Sequence, residues 1–115
     1  MIHLDANVLI RQWLLAGQPL AASAPAWFEY ISGPVTAQEI SRAEAILRGG
    51  VEDFEKLDSQ RSADLFNATG RKRAMKLDCM IAASATLHSA RLATTNVGDF
   101  QAFVTQGLAI EPVPA

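Results

Sequence analysis

Short apolar blocks separated by polar or turn-forming residues run along the whole chain. Blocks of strand length predict strands at residues 1–4, 35–40, 91–95 and 108–113. Blocks whose apolar residues recur at helical spacing predict helices at residues 7–15, 25–31, 41–47, 51–67, 79–89 and 100–105. Strands that alternate with helices indicate βαβ units around a parallel sheet, so the pattern predicts an α/β fold.

Turn-forming residues support several of these boundaries. Gly17 ends the first predicted helix, and Pro25 occupies the first turn of the second. That second helix is expected to turn Trp27, Phe28 and Ile31 toward the core, because they lie on its apolar side. We therefore expect the chain to change direction often, as short α/β units do.

Length and composition limit the possible classes of protein. The 115 residues are 50% hydrophobic, which suits one domain over residues 1–115 with a substantial core. The net charge of -2 excludes a global basic field, so a nucleic-acid partner would need a local basic patch. No apolar run approaches the roughly 18 residues that span a bilayer. The single cysteine, Cys79, allows no intrachain disulfide, and we expect a cytoplasmic protein.

Acid and amide side chains follow or precede the apolar segments at three places. Asp5 comes directly after the first predicted strand, Asp78 opens a helix of small residues, and Asn96 and Asp99 follow the strand at 91–95. Ligands of parallel α/β sheets bind at the carboxyl ends of the strands, where these groups are expected to meet. Oxygen ligands at such an edge suit Mg²⁺ or Mn²⁺.

A structural role for the same acids is the main alternative. Asp5 and Asp78 are also suited to cap helix N-termini, where carboxylates accept hydrogen bonds from free N–H groups. Three coincident instances favour a shared acidic site over three separate caps. The two roles are compatible, because a capping carboxylate keeps a second oxygen.

Two glutamates are candidates for a further acid of the predicted site. Ser41 with Glu44, and Thr36 with Glu39, each have the spacing of a capping box. Glu44 shares a helical face with Ile40 and Leu47, which predicts that it leans toward the apolar side. A buried carboxylate is costly without a cation, so Glu44 is the preferred candidate and Glu39 the competing one.

A run of basic residues precedes Asp78 and suggests phosphate binding. The cluster comprises Arg71, Lys72, Arg73 and Lys76, with Arg42 near Glu44 as an additional candidate. Positive groups beside an acidic metal site would hold a polyanion whose scissile phosphate reaches the metal. A solvated connector explains the same run equally well. His3, His88 and Cys79 are expected to be structural.

Four ordered motifs resemble a known family. The segment 2–10, with sequence IHLDANVLI, is similar to the opening of PIN-domain proteins. The segments LFNATGR at 65–71, DCMIAA at 78–83 and LATTNVGDF at 92–100 resemble the VapC-type toxin branch of that family. The resemblance extends over nearly the whole chain.

The resemblance implies a three-layer α/β/α PIN-like domain with a central parallel sheet. It implies a Mg²⁺-dependent endoribonuclease, typically a homodimer inhibited by a small antitoxin protein. The four acids carried over from the motifs are Asp5, Glu44, Asp78 and Asp99, and the alignment prefers Glu44 to Glu39. The dimer surface is expected among exposed apolar residues, with Trp13, Leu14, Trp27 and Phe28 as candidates.

The sequence departs from the family pattern at two places, one next to the predicted metal site and one in the surface expected to cover substrate or antitoxin. Ala6 stands where the family often has a threonine, which removes a hydroxyl from the neighbourhood of the metal. The stretch 49–65 is expected to be shorter than usual, which affects the surface that covers substrate or antitoxin. Both departures concern specificity more than chemistry.

The sequence thus predicts hydrolysis of RNA phosphodiester bonds. Asp5 and Asp78 would hold Mg²⁺ directly, Asp99 and Glu44 would complete the shell, and Asn96, Arg42, Arg71, Arg73 and Lys76 would contact substrate or water. The alternative is a non-catalytic PIN-like module that binds RNA or protein. A phosphoacceptor signalling domain is disfavoured, because the last predicted strand, residues 108–113, is followed by no lysine.

Overall fold

The computed structural model describes residues 1–11 and 19–113, with the side chains of residues 10 and 11 excepted. The predicted dimer residues Trp13 and Leu14 lie outside the described residues, as does the end of the first predicted helix. Helix α1, Ala6–Arg11, begins where that helix was expected.

A parallel sheet forms the centre of the described residues. Its strand order is β3-β2-β1-β4-β5, and every pairing is parallel. The strands are β1, Ile2–Leu4; β2, Leu20–Ser23; β3, Val51–Glu52; β4, Arg91–Ala93; and β5, Ala109–Glu111. The central strand β1 is wholly buried, as expected for a parallel sheet with helices on both faces.

Helices cover both faces of the sheet and confirm the three-layer prediction. Their bounds are α2, Ala24–Ile31; α3, Ala37–Ile46; α4, Lys56–Ala68; α5, Lys76–Leu87; and α6, Val97–Val104. One core cluster joins Ile2 and Leu4 to residues of α1, α2 and α3. The other joins Leu92 to α4, α5 and α6. Adjacent residues of a strand point to opposite faces, so β4 contributes Leu92 to one cluster and Ala93 to the other.

The prediction of a strand at residues 35–40 is wrong. Thr36 instead caps α3: its hydroxyl accepts the N–H of Glu39 at 3.1 Å, and Glu39 Oε1 accepts the N–H of Thr36 at 3.1 Å. This capping box is one of the two foreseen. The other, Ser41 with Glu44, is wrong because both residues lie inside α3 rather than at its start.

Two strands were not predicted, one because of its composition and the other because of its length. Strand β2 has the sequence LAAS, which carries little of the branched or aromatic character typical of strands. Strand β3 is two residues long and lies within the segment predicted as mainly helical. Both strands form because the neighbouring strand supplies the hydrogen-bonding partners, which local sequence does not report.

The apolar face of α2 differs from the one predicted. Ala26 and Tyr30 are buried, whereas Phe28 is 62% exposed and Ile31 is 41% exposed. Ser23, the last residue of β2, caps this helix through its hydroxyl, which accepts the N–H of Ala26 at 3.2 Å. The turn from β2 into α2 is therefore fixed, and a large aromatic side chain is left on the surface.

In the part of the chain that the structure describes, no helix combines the length and the apolar character needed to cross a membrane.

Candidate active site

The topology of the sheet marks one place at its carboxyl edge. The strand order reverses between β1 and β4, and ligands of open parallel sheets bind at such a switch point. Asp5 follows β1 at this position, and Thr94 follows β4. The backbone N–H of Asp5 donates to the carbonyl of Ala93 at 3.0 Å, which joins the two strand ends. The ends of β1 and β4 therefore meet at this edge of the sheet, as predicted.

The side chain of Asp5 is fixed by three hydrogen bonds. The residue is 3% exposed. Its Oδ1 accepts the N–H of Ala6 at 2.9 Å, so it caps the start of α1. Its Oδ2 accepts the Thr94 hydroxyl at 2.8 Å and the Asn7 side-chain amide at 3.1 Å. Asp5 therefore caps a helix and still presents a carboxylate at the carboxyl edge of the sheet.

Thr94 and Asn7 are site residues that sequence reasoning did not select. The Thr94 hydroxyl accepts hydrogen bonds from the Asn96 N–H at 3.0 Å and the Asn7 amide at 3.3 Å. Asn7 Oδ1 accepts the N–H of Thr95 at 3.0 Å. The hydroxyl missing at Ala6 is thus supplied from the end of β4. Asn96 contributes its backbone to this network, and its side chain is exposed.

Asp78 lies in the first turn of α5 and is partly buried. Its pKa is raised to about 6, with burial as the largest cause and the charges of Asp5, Asp99 and Glu29 as further causes. The positive end of the helix dipole favours a carboxylate at this position. Burial and the neighbouring carboxylates therefore outweigh the helix dipole, which is evidence that the acids share one electrostatic environment.

Burial also raises the pKa of Asp5, and the charge of Asp99 adds to this effect. The hydrogen bonds from Thr94, Ala6 and Asn7 act in the opposite direction, because they stabilise the charged form. Asp99 itself is exposed in the first turn of α6, next to this buried carboxylate. The three predicted acids Asp5, Asp78 and Asp99 are therefore near enough for their charges to interact.

The fourth acid of the cluster is Glu29, which was not predicted. It is exposed on α2, where desolvation of its carboxyl group and the charge of Asp5 raise its pKa. The sequence signal was an isolated acid in an otherwise apolar helix, preceded by Ala-Ala-Ser. That signal was missed because β2 was not recognised as a strand, so the helix after it was not placed at the carboxyl edge.

Glu44 lies apart from this cluster. It is exposed, because α3 turns Ala43, with Ile40 and Ile46, toward the core. The expectation that Glu44 leans into the apolar side is therefore wrong. After α3, the N–H of Gly49 donates to the carbonyl of Leu20 at 2.8 Å, which places this end of the helix at the amino end of β2, away from the acids. Arg42 is exposed on the same helix.

The basic residues ahead of Asp78 have different surroundings. Arg71 and Lys76 lie over the ring of Phe66, at 5.3 Å and 5.5 Å from its centroid, and Arg71 also donates to the Asn67 side chain. Arg73 is exposed in a 3-10 turn that leads into α5. The predicted basic patch is therefore divided, with two of its cations held on an aromatic ring.

The four carboxylates suit a hard divalent cation in their chemistry. Within residues 1–11 and 19–113, no three histidine, cysteine or acidic side chains converge as a complete metal-ligand set. The donor atoms are carboxylate oxygens, which Mg²⁺ and Mn²⁺ prefer. The raised pKa values of Asp5, Glu29 and Asp78 reflect burial and mutual repulsion, which a bound cation would relieve. The chemistry of these side chains therefore suits such an ion, whereas their spacing in this structure does not form a metal site.

Solved structures show the same fold, and one of them is described as a toxin–antitoxin complex. No protein-family model matches the sequence, and no curated protein matches it. A chain of a toxin–antitoxin complex from Klebsiella pneumoniae is 27% identical, with a TM-score of 0.68; the match covers 87% of this chain and 90% of that one. A chain of FitAcB from Neisseria gonorrhoeae is 22% identical, with a TM-score of 0.71 and 97% of both chains covered.

A third structure extends the same result. A chain of VapBC2 from Rickettsia felis, solved with a DNA fragment from its promoter, is 18% identical. Its TM-score is 0.72, and the match covers 99% of this chain and 100% of that one. The chain thus shares the PIN-like α/β fold of VapC-type proteins, and the recognition made from its motifs is confirmed at the level of the fold.

Proposed function

We propose that the protein is the toxin of a toxin–antitoxin pair and a Mg²⁺-dependent endoribonuclease. The observation that carries the proposal is the buried Asp5 at the switch point of the sheet. Its charge, with those of Asp99 and Glu29, contributes with burial to a pKa of about 6 for Asp78. Structural neighbours from toxin–antitoxin complexes support the same function.

In this proposal Asp5 and Asp78 hold the cation, with Asp99 and Glu29 completing the site. Glu29 takes the place that the motif alignment gave to Glu44, because its charge acts on Asp78. The bound ion would polarise the scissile phosphate and lower the pKa of an attacking water. Its two positive charges would also offset the repulsion among the carboxylates.

The protein residues orient the site before substrate arrives. Thr94 and Asn7 hold Asp5 Oδ2, and the Ala6 N–H holds Oδ1, so this carboxylate has little freedom to rotate. Such preorganisation reduces the cost of ordering the ligands when the ion and the RNA bind. The Asn96 N–H fixes the Thr94 oxygen in turn. Asp99 and Glu29 lie on separate helices and adjust more easily to substrate.

The decisive experiment compares Glu29→Gln with Glu44→Gln. Purified protein is incubated with a structured RNA and Mg²⁺, and the cleavage rate is measured. We expect Glu29→Gln to lose at least about tenfold in rate, because it removes a charge from the ion site, and Glu44→Gln to cleave like the wild type. Asp5→Ala should abolish cleavage. Cleavage that survives both Asp5→Ala and a chelator would refute the mechanism.

A non-catalytic module that binds RNA or protein is the rival function. RNA retained by the wild-type protein at every Mg²⁺ or Mn²⁺ concentration, without cleavage, would favour it. The antitoxin is proposed as a protein partner because the structural neighbours are toxin–antitoxin complexes. Co-expression with the product of an adjacent small gene, followed by recovery of a complex, tests that partnership.

A further inference from the structure

A second polar feature adjoins the carboxylate cluster. A cavity of about 180 Å³ lies between the end of α4, the 3-10 turn and α6. Asp99 and Lys72 both line it, and Met75 and Phe103 contribute apolar surface. The cavity therefore joins an acid of the proposed ion site to a basic residue and to an apolar floor.

Lys72 differs from its basic neighbours in what it faces. Arg71 and Lys76 are held over the ring of Phe66. Lys76 also lines a separate, mostly apolar cavity between α4 and α5, together with Cys79. In the described part of the chain, Lys72 is the basic side chain that lines the cavity shared with Asp99.

We propose that this cavity is the subsite for the nucleotide next to the scissile phosphodiester, and that Lys72 binds its phosphate. A cation held with the help of Asp99 and the ammonium group of Lys72 would present two positive centres to successive phosphates of one strand. The apolar floor suits the sugar or base face between them. The inference rests on the proposed function, because it takes RNA as the ligand and the carboxylates as the ion site.

Gly98 provides an independent way to block the subsite. It lines the cavity, and a Cβ built on it meets nothing within 4 Å. Gly98→Leu would add an apolar side chain at the rim of the cavity without a clash at its base. It would leave every charge of the site unchanged, so its effect separates occupancy of the cavity from electrostatic attraction.

The test is equilibrium binding of a short fluorescent single-stranded RNA of mixed sequence, measured by anisotropy in chelator over a range of salt concentrations. We expect Lys72→Ala to weaken binding about tenfold at low salt and to reduce the slope of log K against log salt by about 0.7, as for one lost phosphate contact. Lys72→Arg should retain binding. Gly98→Leu should also weaken RNA binding, but it should change the slope of log K against log salt less than Lys72→Ala does.

The matched control is Lys56→Ala, an exposed lysine at the opposite end of α4. It removes the same charge, so equal losses for Lys56→Ala and Lys72→Ala would overturn the subsite in favour of a general charge effect. Lys76→Ala should lose less than Lys72→Ala, and an equal or greater loss would also overturn it. Unchanged melting temperatures in Lys72→Ala would show that folding is intact.

The outcomes separate the subsite from the nuclease. If the wild type binds RNA without cutting it and Lys72→Ala weakens binding, the subsite stands and the nuclease is refuted. If the wild type cuts RNA and Lys72→Ala binds normally, the subsite is refuted and the nuclease stands. Absence of both binding and cleavage in the wild type would overturn both.

Discussion

Replacing Asp78 by asparagine should stabilise the metal-free protein while abolishing its activity. In the folded state the pKa of Asp78 rises from 3.8 to about 6, so ionising it at neutral pH opposes folding. A rise of this size corresponds to about 3 kcal/mol. Partial exposure screens the repulsion, and the helix dipole favours the charge that is removed. We therefore expect a net gain of roughly 1–2 kcal/mol.

The assay is thermal or urea unfolding in chelator. At about pH 8 the Asp78→Asn variant should melt roughly 4–8 °C above the wild type. The folded state binds more protons than the unfolded state between the two pKa values, so the wild type regains stability as the pH falls below about 6. The advantage of the variant should therefore shrink near pH 5, where Asp78 of the wild type is mostly protonated.

The matched control is Asp64→Asn, which removes an exposed carboxylate from α4. It should leave the melting temperature nearly unchanged. Mg²⁺ or Mn²⁺ should raise the melting temperature of the wild type more than that of Asp78→Asn, since the variant lacks an ion ligand. The reasoning would be refuted by a variant no more stable than the wild type at high pH, and equal metal-induced shifts would remove the ion site.

Three further predictions concern residues around and beneath the site. Thr94→Val removes a hydrogen bond that lowers the pKa of Asp5, so the pKa of Asp5 should rise. The acid limb of the pH–rate profile for cleavage should then move to higher pH, and an unchanged profile would contradict this. Burial, with the charge of His88, lowers the pKa of His3 from 6.5 to about 4. Between these two pH values the unfolded protein binds a proton at His3 and the folded protein does not, so folding stability falls as the pH falls. The wild type should lose up to about 3 kcal/mol through this group by pH 4, and His3→Leu should lack that part of the loss in urea titrations. Phe28 is exposed on α2, and Phe28→Ser should shift sedimentation toward monomer if the predicted homodimer uses this surface; a wild-type monomer would exclude that use.

Sequence alone was sufficient for the elements with strong local signals. The apolar run before Asp5 and the run of small residues after Asp78 identified β1 and α5, because each combines a periodic pattern with a polar boundary. The same logic selected Asp5, Asp78 and Asp99, three of the four acids of the proposed site. A carboxylate directly after a strand, or in the first turn of a helix, is placed by local backbone geometry and needs no knowledge of distant contacts.

Tertiary structure decided what depends on pairing between distant segments. Strand β2 has a weak local signal and exists through its parallel pairing with β1, and only that pairing places Glu29 at the carboxyl edge. The expected burial of Glu44 is wrong, because helical spacing identifies a face of the helix but not the elements that pack against it. Likewise, Thr94 meets Asp5 across 89 residues of sequence. Local chemistry thus determined which residues are suited to the site, and the order of the strands determined which of them meet.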